Sequence, residues 1–140
     1  MRLGWSVLCR DFEQHEDGTV TLKEVFADSV LRIEIEEPPP LQASLHPPVI
    51  LLSYWFRESE SDKRRYPALL RILSPDDNQT LAEWHFGIDF MLSEGRFTRF
   101  QLDELEFVGA GLYELHIEVL EFGEWNLQSR NSILVSDTLS

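Results

Sequence analysis

The sequence predicts an all-β protein: an antiparallel immunoglobulin-like β-sandwich of about eight to nine strands, in a single domain over residues 1–140. Three observations support this prediction. Apolar and polar residues alternate with period two along most of the chain, turn residues recur about every 8–12 residues, and no segment keeps the 3.6-residue apolar period of an amphipathic helix. Alternation of this kind is typical of strands that bury one face.

Three segments near the start of the chain alternate in this way: 5–10, 19–23 and 31–36. A turn at Asp17-Gly18 separates the first two segments. Pro38 to Pro40 ends the third, because proline has no amide hydrogen to donate to a ladder. We expect each segment to form a half-buried strand.

The next strand, residues 49–57, opens after Pro47-Pro48 and is apolar on both faces for much of its length. Two polar residues indicate which face of this strand is exposed. Ser53 and Arg57 lie on the same side as three apolar residues, Val49, Leu51 and Trp55. The other side is wholly apolar or aromatic, so we assign it to the core. Val49, Leu51 and Trp55 are then expected to face outward as a contact stripe, since contiguous exposed apolar residues usually mark an interface. The alternative is that the proline-rich segment 38–48 covers this face.

The rest of the chain contains further predicted strands: 68–74, 81–86, 97–102, 113–119 and a final pair near 125–129 and 132–135. Residues 74–78 form a turn, in which Pro75 presets φ and the following Asp and Asn side chains bond their own backbone. Residues 102–107 have an apolar spacing that would suit a single helical turn.

Tyr113 follows a glycine-rich corner, Gly109-Ala-Gly111, and begins the most regular alternating segment of the chain. Immunoglobulin-like sandwiches place a tyrosine corner at this point, with the hydroxyl bonded back to nearby backbone. We therefore predict a structural corner at Tyr113, against the alternative of a tyrosine that is only packed in the core.

Three local patterns resemble a known family: Trp5-x-x-Leu8-Cys9-x-Asp11 with Gly18-x-x-Thr21-Leu22-x-x-Val25-Phe26; Arg71-Ile-Leu-Ser-Pro-Asp76 leading to Leu81-Ala-Glu83; and Gly111-x-Tyr113-x-Leu115-x-Ile117. On these patterns the chain resembles a bacterial family of small cytoplasmic domains of unknown function. The resemblance implies a sandwich fold. It implies no activity and supplies no catalytic residues.

The formal net charge of −13 restricts the partners. An acidic domain is repelled by nucleic acid and by anionic membranes, so neither is expected as a partner. Cys9 is the one cysteine, so no internal disulfide is possible, and the opening residues lack a signal-peptide pattern. These features predict a cytoplasmic protein.

The residues that carry chemistry do not form a catalytic or metal-binding motif. The four histidines lack the spacing of a zinc site, and the acidic turn Asp76-Asp77-Asn78 is explained by turn geometry as well as by a calcium site. Cys9 sits within a strand, where a buried thiol behaves as a small hydrophobic group. We predict no cofactor and no bound metal, and we favour binding over catalysis.

Two functions remain in competition. The first is a non-catalytic protein–protein interaction or assembly module that contacts a protein partner or forms a homodimer through Val49, Leu51 and Trp55. The second is a sandwich that binds a small ligand or carbohydrate, with Trp55 and Trp125 as candidate stacking rings. An enzyme is the third possibility, and no motif favours it.

Overall fold

The computed structural model of the chain describes residues 1–17, 19–26, 30–35, 41–59, 61–62, 64–75, 79–90 and 95–137. In these ranges the regular structure is all strand: β1 (Arg2–Gln14), β2 (Val20–Val25), β3 (Val30–Ile35), β4 (Leu41–Phe56), β5 (Arg65–Leu73), β6 (Thr80–Asp89), β7 (Gly95–Phe107), β8 (Gly111–Glu121) and β9 (Glu124–Asp137). The all-β prediction is confirmed.

The strands form two sheets, with the orders β2-β1-β4-β7 and β3-β9-β8-β5-β6. Neighbouring strands are antiparallel, except that β3 runs parallel to β9, a pairing that the fully antiparallel prediction missed. In one sheet β8 lies between β5 and β9, and in the other β4 pairs with β7. Strands F, C, G, B and E of immunoglobulin sandwiches are arranged in this way.

The main core lies between the two sheets. Its largest fully buried side chains are Trp55, Tyr113, Phe90 and Phe107. The alternating pattern of β8 predicted that its apolar side chains enter the core, and every second side chain from Tyr113 to Val119 is at most 2% exposed. The polar positions between them face outward.

The predicted outward stripe of β4 is wrong. Val49, Leu51 and Trp55 are at most 1% exposed and belong to the main core, so they form no contact surface. The misleading residue is Ser53, which is fully buried and faces the core with them. Its hydroxyl lies 2.9 Å from the hydroxyl of Ser6 on β1, so a polar residue that suggested an outer face is in fact bonded inside.

β-Bulges account for three other differences from the predicted strands. β4 continues through Pro47-Pro48, because the ladder to β7 is irregular between Ser44 and Val49 and needs no proline donor there. Residues 102–107 belong to β7 and form no helical turn. Leu102 and Leu105 both reach the core although they are three residues apart, because the ladder to β4 is irregular at this point. β9 is one strand, although the sequence suggested a break between residues 129 and 132. Its register shifts at Gln128, opposite Ile117-Glu118.

The hairpin of β1 and β2 turns back over the outer face of the four-stranded sheet. Gln14, the partner of Val20, lies nine residues beyond Trp5, which is about 30 Å along a straight strand. Val20 and Trp5 nevertheless line one cleft. The ring of Phe12 also lies 5.4 Å from the Arg99 guanidinium. In the sheet, Arg99 pairs with Leu52, which pairs with Val7, so Phe12 contacts a position five residues back along β1. We call the described residues of 11–23 the flap.

The bend lies at the base of this flap. Glu24 has a φ of 52°, a left-handed conformation that is strained for a side chain of this type. Its carboxylate lies 4.0 Å from the guanidinium of Arg10, which in turn lies 5.3 Å from the ring of Phe26. Cys9, Ile50 and Leu52 form a second buried cluster on this outer face, against flap residues Phe12, Val20 and Leu22.

Candidate functional site

The turn between β8 and β9 is the most unusual exposed feature of the domain. It consists of Phe122 and Gly123, with φ values of 52° and 77°, as a two-residue type I′ turn requires. Such turns favour Asn-Gly or Gly-Gly, because a bulky side chain is strained at positive φ. Here the first position carries a phenylalanine that is 90% exposed.

Further apolar side chains extend from this turn along the outer face of the five-stranded sheet. Trp125 is 44% exposed and pairs with Leu120 across the hairpin, and Leu127 is 45% exposed two residues further on. We call Leu120, Phe122, Trp125 and Leu127 the tip surface. Glu121 and Glu124 lie on either side of the turn and are direct cross-strand partners.

The middle of the same outer face is polar. The Arg71 guanidinium lies 3.4 Å from Glu118 and 3.9 Å from Glu83, and His116 lies 2.7 Å from Glu114. His116 faces outward, as its sequence pattern predicts. These groups form one charged patch centred on Arg71, because Glu83 and His116 are both cross-strand partners of Arg71. Among the described residues, no group of three or more histidine, cysteine or acidic side chains is placed to hold a metal. The acidic turn at Asp76 to Asn78 lies outside the described residues.

The outer face of the four-stranded sheet carries three aromatic residues in one cross-strand row, which we call the aromatic row. Trp5 on β1 and Phe97 on β7 are both cross-strand partners of Tyr54 on β4. The Trp5 and Tyr54 rings are stacked 6.1 Å apart, and Phe97 lies 4.9 Å from Tyr54 and 5.9 Å from Trp5, so the three rings pack against one another. With Val20 of the flap, this aromatic row lines an open cleft of about 340 Å³.

Two glycines make room for the central ring of this row. A Cβ added at Gly95 would lie 1.9 Å from the Tyr54 hydroxyl oxygen, and one added at Gly4 would lie 3.1 Å from the Tyr54 Cδ1 atom. The hydroxyl of Tyr54 therefore occupies the place of a side chain at Gly95, and the ring lies along the sheet toward β7.

Cys9 is fully buried in the second cluster, next to this row. Burial raises the pKa of its thiol above the ordinary value of 9.0, and the charge of Asp11 raises it further. A backbone hydrogen bond at Asp11 and the charge of Arg99 act in the opposite direction without reversing the shift. A protonated, buried thiol is a poor nucleophile, so Cys9 is suited to packing and not to catalysis.

A smaller gap opens at the edge of the sandwich, between β6 and β7. Its volume is about 190 Å³, with Trp84 at one wall and Glu104 and Glu106 at the other. Its floor consists of core side chains, among them Phe107 and Tyr113. The gap is therefore an opening into the main core.

Tyr113 is buried with its hydroxyl fully bonded. The hydroxyl donates to the carbonyl oxygen of Gly109 at 2.6 Å and accepts from the amides of Val108 and Gly109 at 2.8 and 3.1 Å. These contacts close the glycine-rich corner that connects β7 to β8. Their role is structural.

An ionic cluster lies at the same end of the sandwich as the tip surface. The Tyr66 hydroxyl donates to the carboxylate of Asp62, and Arg64 lies 3.1 Å from the same carboxylate. Burial raises the pKa of Tyr66 to about 12, aided by the Asp62 charge. Burial also raises the pKa of Asp62, but hydrogen bonds from Tyr66 and Arg64 outweigh it and bring that pKa well below 3.8.

Comparison with known proteins identifies no family: no family model matches the chain, and no curated protein matches its sequence. The resemblance to a bacterial family of small domains stays a prediction. Within the described ranges, no helix has the length and apolar character needed to span a bilayer.

The sequence predicted neither the tip surface as a whole nor the aromatic row, although it singled out Trp125. The candidate ligand ring Trp55 is buried and donates its indole N–H to the Thr98 hydroxyl at 3.0 Å, whereas Trp125 is exposed as that hypothesis requires. A signal for the tip surface was present, because the regular alternation of residues 113–119 leads directly into Phe122-Gly123. The aromatic row had no such signal, since its three rings are far apart in sequence.

Proposed function

We propose that this domain is a non-catalytic protein-binding module whose partner docks on the tip surface of the β8–β9 hairpin. The observation that carries the proposal is Phe122, which is 90% exposed in a left-handed conformation. Strained residues concentrate at functional sites, and an exposed aromatic ring is a common anchor in protein interfaces. The proposal keeps the protein-binding function expected from the sequence and moves it from β4 to the hairpin.

Three features of this turn each lower the stability of the hairpin. Phe122 is strained by its positive φ, and its ring is exposed to water. Glu121 and Glu124 repel each other across the last ladder position. An Asn-Gly turn between neutral residues would close the same hairpin at lower cost. Local rules that are broken together in this way favour a binding role for the segment.

The charges indicate the chemistry of the partner. Glu121 and Glu124 border the Phe122-Gly123 turn and pair with each other across the hairpin, and the whole chain has a formal charge of −13. A partner with an apolar pocket rimmed by lysine or arginine would bury Phe122 and relieve the repulsion between the carboxylates. A second copy of the chain would add like charge, so we favour a basic protein over a homodimer. Nucleic acid and anionic membranes are disfavoured for the same reason.

We also propose a cytoplasmic location, in keeping with the single buried cysteine and the family resemblance. The same site is proposed to work without a cofactor. The described polar groups in the middle of the same outer face are paired carboxylates and basic residues, and these groups form no nucleophile and base in contact.

The test uses a photo-reactive phenylalanine analogue at position 122, with the analogue at Val108 as the matched control. Val108 is 41% exposed at the corner closed by Tyr113. Proteins cross-linked from position 122 and not from position 108 are purified, and their affinity is measured for the native chain, for Phe122→Asn and for Val108→Asn. We expect Phe122→Asn to weaken binding at least about tenfold, as loss of an anchor does, and Val108→Asn to leave it unchanged.

Added salt and the double variant Glu121→Gln/Glu124→Gln should both weaken the complex if the partner is basic. The proposal fails if the affinity of the purified partner is the same for Phe122→Asn and the native chain. It also fails if position 122 cross-links only to a second copy of this chain, or to nothing above the control level.

A further inference from the structure

We propose that the outer edge of β7 accepts an extended peptide of alternating basic and apolar residues as an additional strand. One apolar side chain of this peptide enters the gap between β6 and β7, which we call the edge gap. The edge gap lies at the Tyr113 end of β8, whereas the tip surface lies at the Glu121 end. The two sites are therefore separate, and this proposal does not rest on the tip surface.

The position of Trp84 on β6 is the first observation. Its direct cross-strand partner is Leu70, a fully buried core residue, and direct cross-strand partners lie on the same face of a sheet. Trp84 therefore faces the interior of the sandwich, yet it is 41% exposed. An inward-facing ring is exposed to this extent because the opposite sheet does not cover it here.

The second observation explains why the opposite sheet leaves Trp84 uncovered. Phe100 of β7 packs against Phe86 of β6, with 4.9 Å between the ring centroids, so the sandwich is closed at that level. Further along β7, Phe107 packs instead against Tyr113 of β8, at 5.8 Å. Because β5 lies between β8 and β6, β7 has moved away from the β6 edge by two strand spacings, or about 10 Å. The edge gap is the wedge that this divergence leaves open.

The third observation is that both sheets end at this gap. Among the described strands, β6 and β7 are the end strands of their sheets on this side. An end strand turns a row of backbone N–H and C=O groups away from its sheet, and a further strand can pair with them. A strand added beside β7 would continue the four-stranded sheet over Trp84. Main-chain bonds to a sheet edge, with a pocket for an alternate side chain, are the two features of peptide recognition by strand addition.

The edge gap has the size and lining for one apolar side chain. Its volume of about 190 Å³ exceeds the roughly 150 Å³ of an apolar protein cavity that binds benzene. Core side chains, among them Ile72 and Phe107, form its floor. A leucine or phenylalanine of the added strand would cover this floor and pack against Trp84.

The charges beside the edge gap indicate the character of the peptide. Glu104 and Glu106 are exposed on the outer face of β7, where they alternate with the buried residues Leu105 and Phe107. Outward-facing residues of an added strand would be cross-strand neighbours of these carboxylates, and opposite charges stabilise such pairs. Lysine or arginine is therefore favoured at those positions. Pairing between the β7 edges of two copies is disfavoured, because it would bring the carboxylates of both copies together.

The experiment measures the binding of synthetic peptides to the native chain by calorimetry at about 0.15 M salt. The probes are Lys-Val-Lys-X-Lys-Val-Lys, with X as leucine or phenylalanine, and the controls are the rearranged peptides Lys-Lys-Val-X-Val-Lys-Lys. Both sets have the same charge, so general attraction to an acidic protein affects them equally. We expect at least one alternating peptide to bind about tenfold or more tightly than its rearranged control, the effect of one good apolar contact.

Amide hydrogen exchange distinguishes strand pairing from binding to side chains alone. With free peptide at ten times its Kd, the outward amides of residues 101–107 should exchange about tenfold more slowly, because the peptide must leave before they exchange. The rearranged peptide at the same concentration should have little effect on these amides.

Two variants locate the apolar contact. Trp84→Ala should weaken binding of the alternating peptide about threefold to tenfold, the loss expected for one aromatic contact. The matched control is Trp125→Ala, which removes a ring of similar exposure from the outer face of the same sheet and should leave affinity unchanged. Ala82→Phe keeps Trp84 but places a ring in the edge gap, so it should also weaken binding. Circular dichroism checks the folding of each variant before titration.

The proposal is overturned if the alternating peptides bind no more tightly than the rearranged ones, or if exchange of residues 101–107 is unaffected. It is also overturned if Ala82→Phe binds the peptide as the native chain does. Phe122→Asn should bind the peptide normally. Loss of peptide binding in Phe122→Asn would place the peptide on the tip surface, which would overturn the edge site and leave the proposed function intact.

Discussion

The side-chain amide of Asn131 on β9 donates a hydrogen bond of 3.2 Å to the hydroxyl of Ser6 on β1, and this contact joins the two sheets through the interior. Ser53 continues the connection on β4, at 2.9 Å from Ser6, and Ser129 accepts from the same amide at 3.3 Å. The centre of the sandwich is therefore held by a small polar network as well as by apolar packing.

Asn131→Leu should reduce the free energy of unfolding by about 1–3 kcal/mol, because hydroxyl groups at Ser6 and Ser129 lose a buried donor. Urea unfolding followed by fluorescence measures the change. Asn126→Ala is the control, since Asn126 is exposed on the same strand, and its effect should stay within about 0.5 kcal/mol. Equal effects of the two variants would show that the network contributes nothing specific.

Tyr113→Phe should cost about 1–3 kcal/mol, because the amides of Val108 and Gly109 lose their acceptor in a buried corner. The matched control is Tyr54→Phe, which removes a hydroxyl from a ring on the outer face. A Tyr113→Phe variant as stable as the native chain would mean that water satisfies the corner equally well.

Phe122→Asn should stabilise the isolated domain by about 1 kcal/mol, because asparagine tolerates a left-handed conformation that strains phenylalanine. Thermal unfolding measures this gain, with Val108→Asn as the control for a second exposed apolar residue. A gain in stability accompanied by a loss of partner binding would separate the two roles of the residue. A lower stability would show instead that the Phe122 ring supports the hairpin.

The Asp62–Tyr66 contact predicts a pH dependence of stability. The folded-state pKa of Asp62 is depressed, so its contribution is present above the ordinary value of 3.8 and is lost as the pH falls further below that value. The pKa of Tyr66 is raised from 10.0 to about 12, so its contribution is lost as the pH rises through that range.

Asp62→Asn should therefore destabilise the domain by about 1–2 kcal/mol at about pH 7, and the deficit should shrink toward about pH 2–3. The variant should also lower the pKa of Tyr66, which ultraviolet titration of the phenolate detects. Asp103→Asn, an exposed change on β7, is the control for the general effect of one fewer carboxylate. If the deficit of Asp62→Asn were the same at both pH values, the contact would not carry the linkage.

Cys9 in the native chain should react with a thiol reagent roughly 100-fold or more slowly than in the urea-unfolded chain, because the flap must open before the buried thiol is reached. Leu22→Ala removes flap packing and should accelerate labelling of the folded protein. Leu134→Ala, on the exposed side of β9, should not. Fast stoichiometric labelling of the native chain would contradict the buried position.

Local patterns in the sequence were sufficient to locate most strands, though not all of their ends, and to assign the faces of several of them. The alternation from Tyr113 to Val119 correctly predicts which side chains enter the core, because each polar residue there has water as its simplest partner. The corner at Tyr113 was also predictable, since its hydrogen bonds reach only four and five residues back. Interactions of this range depend on neighbouring residues alone.

The faces of β4 were decided by tertiary contacts. Ser53 suggests an outer face when it is considered alone, but Ser6 and Asn131 meet it from distant strands and satisfy its hydroxyl inside the core. The wholly apolar side is acceptable outside because the flap folds over Ile50 and Leu52. Strand periodicity separates one face from the other, but only the assembled sheets and the flap determine which partners each face finds, because those partners lie many residues away along the chain.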